Sequence, residues 1–401
     1  MTETLTVSNT TTRSASSVAG AGARIRSVLL AGSPYDAFLL EQAGFRRCGA
    51  GVLEAPSFDL VRSGAEVLKF CSENKTDLVI VDYSLPDMSA FELGQRLEEL
   101  GVDTPVVVVT SRSELGGTSD AAPGRDNVHG LFIWYGDPEV LRTLVRLFED
   151  EKNAELQLSN KKALAILLVE DEPNFFSHYL PMLYTQIRRS TLDLFPQEEQ
   201  LSCPWSAVKS RPLVLLRQDY EGACKIVDRY SSQLIALVTD LQFPMDGKLN
   251  ERAGLELLAR ARAYEPHMPV VVQSRQIEVR QQVEDANGYF LWKDSPRLMK
   301  DMKDYLVTYC GFGPFVFRWP DGTEWARATT LDGLRALVAG APQKVYEHHA
   351  DHNDFSAWLG VHGYGELAAS VRQVRNSGKE GRARVAELLD VVLREEMHGG
   401  L

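Results

Sequence analysis

The segment LIALVTD, residues 234–240, decides the fold class because it is a nearly continuous apolar run that ends in an acidic residue. Strands that are buried on both faces of a parallel sheet have this composition, whereas half-exposed strands alternate apolar and polar residues. Similar runs flank it, and helical patterns separate them. These runs are AILLVED (165–171), PLVLLR (212–217), PVVVQS (269–274) and GYFLWK (288–293). The alternation predicts βαβ units in a doubly wound, parallel five-stranded sheet.

The same succession of apolar runs and helical patterns occurs once earlier in the chain. The earlier runs are SVLLAG (27–32), DLVIVD (77–82), PVVVVT (105–110) and GLFIW (130–134), and a weaker candidate lies near Gly51–Leu53. A repeat of this size indicates tandem domains rather than a solenoid, whose repeats are about 20–50 residues long. We therefore predict two α/β domains of the same fold class.

Changes in composition set the boundaries of the predicted domains. Residues 1–24 are rich in Ser, Thr, Ala and Gly, and bury too little apolar surface to offset the entropy of ordering. The hairpin pattern FVFRWPDGTEW (315–325), followed by helical patterns, predicts a small α+β domain. The predicted organisation is a disordered tail (1–24), a first α/β unit (25–150), a helical linker (151–162), a second α/β unit (163–312) with an insertion near 190–210, and a C-terminal domain (313–401).

The composition argues against several functional classes. A formal net charge of -12 disfavours nucleic-acid binding, which depends on basic side chains that neutralise phosphates. The chain has no apolar run of about 18 residues, as a membrane-spanning helix needs, and its first residues lack a signal-peptide pattern. Its five cysteines are scattered without a CxxC pair, which is typical of reduced thiols. We therefore expect a cytoplasmic protein.

Polar side chains end four predicted strands of the second unit. Glu170 and Asp171 end the first strand, Asp240 the third, Ser274 the fourth and Lys293 the fifth. Because the carboxyl ends of parallel strands meet at one edge of the sheet, we expect these side chains to converge. Clustered carboxylates attract Mg²⁺, a lysine adds positive charge, and one carboxylate can act as a nucleophile. The pattern predicts a phosphoryl-transfer site that forms an aspartyl phosphate.

Four motifs make residues 163–311 resemble the receiver domain of response regulators in two-component signalling. They are VEDEP (169–173), VTDLQFPMDG (238–247), VVVQS (270–274) and LWKDSP (291–296). The resemblance implies a flavodoxin-like receiver fold with Mg²⁺ as cofactor. It also implies that Asp240 is the phosphoacceptor and that Ser274 and Lys293 contact the phosphoryl group. The implied Mg²⁺ ligands are Glu170, Asp171, Asp240 and the main-chain carbonyl of Gln242. Phe290 would be the aromatic residue that changes rotamer on activation.

The first unit keeps the strand pattern but lacks most of these side chains. Asp82 matches the phosphoacceptor position and Thr110 matches the serine position. Ala31 and Gly32 replace the acidic pair, and Tyr135 occupies the position of the lysine. A phosphoryl group on Asp82 would therefore face poor charge compensation. We interpret residues 25–150 as a pseudo-receiver that works through protein–protein contact.

The resemblance also implies the partners of the chain. The phosphodonor would be a sensor histidine kinase or a small phosphodonor. The signal would pass through protein contacts of the receiver faces, including a homodimer, because no separate output enzyme motif is recognisable. The alternative is a scaffold that uses both receiver folds as binding modules and does not depend on phosphorylation.

Two further segments carry open alternatives. The stretch 174–209 is longer than a βαβ crossover needs, which indicates either a long first helix packed on a neighbouring domain or a partner-docking element. The cluster His348, His349, His352 and Asp354 suggests a metal site because imidazoles four residues apart on a helix share one face. The competing interpretation is that Asn353 or Asp354 caps a core helix containing Phe355, Trp358 and Leu359.

Overall fold

Two parallel β-sheets form the framework of the protein. The computed structural model describes residues 23–32, 56–111, 127–137, 139–192, 211–374 and 378–399. The strands of the first sheet are β1 (Ser27–Ala31), β2 (Ser57–Val61), β3 (Leu78–Asp82), β4 (Val106–Ser111) and β5 (Gly130–Trp134). They lie in the order β2-β1-β3-β4-β5 and are all parallel. This confirms the doubly wound arrangement predicted for the first unit.

The second sheet repeats this topology. The strands of the second unit are β6 (Ala165–Val169), β7 (Leu213–Arg217), β8 (Leu234–Asp240), β9 (Phe243–Met245), β10 (Lys248–Asn250), β11 (Val270–Ser274) and β12 (Tyr289–Trp292). The parallel sheet has the order β7-β6-β8-β11-β12, while β9 and β10 form a separate antiparallel hairpin. All seven residues of β8 are buried, as its apolar composition predicts for a central strand.

Helices cover the faces of both sheets. They are α1 (Gly64–Glu73), α2 (Ala90–Glu99), α3 (Glu139–Ser159), α4 (Pro173–Leu192), α5 (Tyr220–Tyr230), α6 (Ala253–Tyr264), α7 (Arg280–Asp285) and α8 (Leu298–Tyr309). Side chains fix three of the helix starts, since Ser63, Ser89 and Asp219 each accept a hydrogen bond from a main-chain N–H of the first turn. The helices then bury their apolar faces against the strands.

The long helix α3 is packed into the protein along its charged half. The segment 151–162, expected as a linker, is helical up to Ser159, and its residues Ala154 and Leu158 are buried. Asp150 is also buried and accepts two hydrogen bonds from the guanidinium of Arg211, just before β7. The buried ion pair between Asp150 and Arg211 therefore fixes this helix, which begins in the first unit, to the second unit.

The C-terminal segment packs directly on the second unit. Its described residues form the predicted hairpin and five helices: β13 (Phe315–Arg318), β14 (Glu324–Ala328), α9 (Leu331–Gly340), α10 (Gln343–Asp351), α11 (Asp354–Val361), α12 (Gly365–Arg372) and α13 (Lys379–Gly399). The predicted core residues Phe355, Trp358 and Leu359 are buried. The guanidinium of Arg372 donates to the main-chain carbonyl of Leu234, at the start of β8.

Several predictions fall wholly or partly outside the described residues. These are most of the tail 1–24, the weak strand near Gly51–Leu53 and residues 193–210 of the insertion. The described second strand of the first unit lies further along, at Ser57–Val61. The long first helix is confirmed, because α4 has 20 residues. Within the described ranges, no helix combines the length and apolar character needed to cross a membrane.

Candidate functional site

Three carboxylates meet at the carboxyl edge of the second sheet. Glu170 and Asp171 directly follow β6, and Asp240 is the last residue of the neighbouring strand β8. One ligand oxygen of each side chain lies within 4.8 Å of the others. The main-chain N–H of Leu241 donates to Oδ1 of Asp240 over 2.6 Å and orients that carboxylate. The structure thus brings together the three acidic residues that the sequence places at strand ends.

A buried lysine lies against two of these carboxylates. The ammonium of Lys293, which follows β12, is 2.5 Å from Oδ2 of Asp240 and 2.9 Å from Oε2 of Glu170. Burial opposes the charge of Lys293, but the two carboxylates outweigh that effect and raise the pKa of the ammonium. Gln273 donates a further hydrogen bond to Glu170 over 2.9 Å. The lysine is therefore held as a cation beside the carboxylate of Asp240.

Burial shifts the pKa values of all three carboxyl groups upward. Burial raises the pKa of Glu170 well above its usual value and also raises that of Asp240. Burial, followed by the charge of Asp240, raises the pKa of Asp171 to about 6. Oδ1 of Asp171 is buried and makes no hydrogen bond to any described residue. Because Mg²⁺ binds through a few carboxylate oxygens and retained waters, this arrangement fits a divalent cation.

Further side chains to which the sequence patterns assign no role lie around the lysine. The ring of Phe175, in the first turn of α4, has its centroid 4.1 Å from the ammonium of Lys293. Arg275 makes a bidentate ion pair with Glu172 over 2.9 and 3.0 Å. Glu172 belongs to the quoted motif VEDEP, whereas Phe175 gave no signal because its role depends on the tertiary position of α4.

The other predicted site residues lie at the expected strand ends. Ser274 ends β11, beside β8, and is 3% exposed. Its Oγ accepts a hydrogen bond from the main-chain N–H of Gln276. Phe290 is buried in β12 beneath the guanidinium of Arg280, whose carbon lies 5.0 Å from the ring centroid. The role of the Gln242 carbonyl and the rotamer change of Phe290 stay predictions.

The equivalent edge of the first sheet has a different chemistry. Asp82 ends β3, as Asp240 ends β8. A Cβ atom built on Gly32 would lie only 2.7 Å from Cβ of Asp82, so the side chain of Asp82 occupies the space where an acidic side chain at position 32 would begin. Tyr135, at the lysine position, makes hydrogen bonds to Asn174 of the second unit instead. Within the described residues, the only metal-type cluster of acidic, histidine or cysteine side chains is that of the second sheet.

The close approach of α6 to Asp240 depends on Gly254. A Cβ atom at this residue would lie 2.2 Å from the main-chain oxygen of Asp240. We expect Gly254→Ala to lower the free energy of unfolding by about 1–3 kcal/mol, as overpacking does, although alanine normally favours a helix. The matched control is Gly340→Ala in α9, where no atom beyond the adjoining residues and the backbone of the same helix lies within 4 Å of the added group. Urea denaturation checks both, and a stabilised Gly254→Ala variant contradicts the stated packing.

The histidine cluster of the C-terminal segment does not form a metal-ligand set. Nε2 of His349 accepts a hydrogen bond from the main-chain N–H of Arg318, and its Nδ1 pairs with Asp354 over 2.6 Å. Nδ1 of His352 pairs with the carbonyl oxygen of His348. Protein partners therefore occupy both ring nitrogens of His349.

The prediction about the cap of α11 is correct in position but wrong in mechanism. Asn353 is the residue at the N-cap, but its side chain makes no capping hydrogen bond. Asp354, the first helical residue, pairs with His349.

Known proteins match parts of this chain. A family model described as the response regulator receiver domain matches residues 51–122, within the first unit. Two-component response regulator 24 of Arabidopsis thaliana is 32% identical over 59 residues, which are 14% of this chain and 42% of that protein. The chain therefore spans less than half the length of this curated relative.

Solved structures give weaker matches. The receiver domain of the Francisella response regulator 1452 is 16% identical, with a TM-score of 0.26, and covers 31% of this chain and 98% of its own. NtrX from Brucella abortus is 11% identical, with a TM-score of 0.27, and covers 91% of this chain and 80% of its own. Scores this low do not establish a shared overall structure. The family match is the firmer finding: residues 51–122 are similar to the response regulator receiver domain, a module of two-component signalling.

Proposed function

We propose that this protein is a response regulator of two-component signalling whose second unit accepts a phosphoryl group on Asp240. The observation that carries the proposal is the cluster at the carboxyl edge of the second sheet. Its three carboxylates offer ligand atoms within 4.8 Å of one another, and the ammonium of Lys293 lies 2.5 Å from Asp240. A metal site beside a buried cation is the arrangement that phosphoryl transfer needs.

The proposed reaction is an in-line displacement at phosphorus. A carboxylate oxygen of Asp240 attacks, a P–O bond forms, and the bond to the donor breaks. With acetyl phosphate the leaving group is acetate, and with a phosphohistidine donor it is the imidazole, which takes up a proton. Mg²⁺ held by Glu170, Asp171 and Asp240 would supply charge compensation on the phosphoryl oxygens. The ammonium of Lys293 and the hydroxyl of Ser274 would contact the same oxygens, and the carbonyl of Gln242 would complete the metal site.

The first unit is proposed to be a pseudo-receiver. It has the receiver topology and Asp82, but Gly32 and Tyr135 stand where an acidic residue and the lysine would be needed. The proposed output is protein–protein contact through the receiver faces, including a homodimer, with a histidine kinase or small phosphodonor upstream. A phosphorylation-independent scaffold is the second candidate, since the first unit preserves the fold without the site. Beryllofluoride that changes neither oligomeric state nor partner binding would favour the scaffold.

Metal removal tests the proposed chemistry. We expect labelling by acetyl phosphate to fall by about a hundredfold or more when EDTA replaces Mg²⁺, because the metal contributes several kcal/mol to the transition state. Asp171→Asn should shift the Mg²⁺ dependence of labelling to higher concentration. Labelling is measured by phosphate-affinity electrophoresis, with Glu155→Gln on the exposed face of α3 as the control. Equal labelling with and without Mg²⁺ is the contrary result.

A further inference from the structure

The helix α4 belongs to the second unit by sequence, yet its first turns lie against the first unit. The main-chain N–H of Ile133, in β5, donates to Oγ of Ser177 over 2.9 Å. The rings of Phe132 and Phe176 pack edge to face with centroids 5.2 Å apart. These contacts bring the last strand of the first sheet directly onto the helix that follows the Glu170–Asp171 pair.

Tyr135 extends this contact to the very start of α4. Its ring stacks on that of His178 with a centroid distance of 3.8 Å and an interplanar angle of 17°. Its hydroxyl donates to Oδ1 of Asn174 over 3.2 Å and lies 3.4 Å from the carbonyl oxygen of the same residue. Tyr135 occupies, in the first unit, the position that corresponds to Lys293. Its side chain contacts the second unit.

The next residue of the same helical turn contacts the carboxylate–lysine cluster. Phe175 follows Asn174 directly, and its ring centroid lies 4.1 Å from the ammonium of Lys293 and 5.2 Å from the guanidinium carbon of Arg275. Cation–π contacts of this kind contribute more when the cation is desolvated, and the side chain of Lys293 is only 1% exposed. A movement of this turn therefore changes the surroundings of the lysine.

We propose that Tyr135 is a positioning residue for the second unit. By holding the first turn of α4, it keeps Phe175 against Lys293, so that the first unit sets how readily the ammonium moves from Asp240 to an incoming phosphoryl group. This inference rests on the proposed function of Asp240. It assigns the pseudo-receiver a task inside the chain, in place of its lost phosphoryl chemistry.

Two substitutions in the full chain test the proposal. We expect Tyr135→Ala to lower the rate of labelling by acetyl phosphate at saturating Mg²⁺ by about fivefold or more, the usual lower range of coupling between sites. Tyr135→Phe retains the ring that stacks on His178 but loses the hydroxyl, so its rate should be intermediate. The matched control is Leu60→Ala, which truncates an exposed side chain of β2, at the opposite edge of the first sheet. It should leave the rate unchanged.

A second readout follows from reciprocity, because coupling between two sites acts in both directions. Beryllofluoride with Mg²⁺ should change amide hydrogen exchange in residues 130–137 of the wild-type protein, where the Ile133 N–H meets Ser177. This change should be smaller in Tyr135→Ala. The exchange data also reveal whether Tyr135→Ala alters the fold, in which case Tyr135→Phe and His178→Ala carry the kinetic comparison.

The outcomes separate this inference from the proposed function. If the wild-type protein labels on Asp240 but the Tyr135 variants label at the wild-type rate, and exchange in 130–137 does not respond, the inference is overturned and the proposed function stands. If the wild-type protein does not label at all, the proposed function fails and the inference fails with it. A third outcome also contradicts the inference: Tyr135→Ala labels more slowly, but beryllofluoride changes its hydrogen exchange in residues 130–137 as much as in the wild-type protein. The coupling would then run through other residues.

Discussion

Asp240→Asn should reduce labelling by acetyl phosphate and Mg²⁺ to below about 1% of the wild-type level, because an amide cannot act as the carboxylate nucleophile. Asp82→Asn should leave labelling within a factor of about two. Asp82→Asn is the matched control for Asp240→Asn. Each aspartate ends the third strand, in chain order, of its own five-stranded parallel sheet, and the two sheets have the same topology. Asp240 has a lysine ammonium 2.5 Å away and forms, with Glu170 and Asp171, the one metal-type cluster found in the described part of the chain.

The comparison also tests the division of roles between the two units. The receiver-domain family model matches residues 51–122, which contain Asp82 rather than Asp240. A match of sequence in the first unit therefore does not by itself decide which aspartate reacts. Loss of labelling in Asp82→Asn together with its retention in Asp240→Asn would reverse the assignment and leave the cluster of the second sheet without its proposed role.

The second large effect concerns the stability of the junction between the units. Asp150 accepts hydrogen bonds from Arg211, from the hydroxyl of Tyr184 and from the main-chain N–H of Val214. Burial opposes the charge of Arg211, but Asp150 outweighs it and raises the pKa of the guanidinium. Asp150→Ala should lower the free energy of unfolding by about 3–5 kcal/mol, because it leaves a buried cation without compensation.

Glu155→Ala is the matched control for this prediction, since it removes a carboxylate from the same helix. Glu155 pairs with Arg229 at the surface, where both side chains are more than half exposed. Its loss should change the free energy of unfolding by less than about 0.5 kcal/mol. The double variant Asp150→Ala with Arg211→Met should recover part of the loss. Urea denaturation followed by circular dichroism measures all three variants, and a loss below about 1 kcal/mol in Asp150→Ala contradicts the stated role of the pair.

The sheets and the strand-end residues could be predicted because their signals are local. Each buried parallel strand is a short apolar run, and the residue that follows it lies at the carboxyl edge by topology alone. The sequence therefore predicts that Glu170, Asp171, Asp240 and Lys293 converge, and the structure brings them together.

The remaining features depend on tertiary contacts that no local pattern reveals. The acidic half of α3 has the composition of a solvated helix, yet Glu149 and Asp150 are buried because Arg146 and Arg211 pair with them. Phe175 has the spacing of an ordinary core residue of α4. Only the placement of that helix between the two units shows that its ring lies against the lysine.

Locating the phosphoryl group is the most direct measurement. The wild-type protein is labelled with acetyl phosphate and Mg²⁺, the acyl phosphate is reduced with borohydride to homoserine, and the modified residue is identified by peptide mass spectrometry. We expect homoserine at position 240 and an unmodified aspartate at position 82. Homoserine at position 82, or at neither position, would contradict the account.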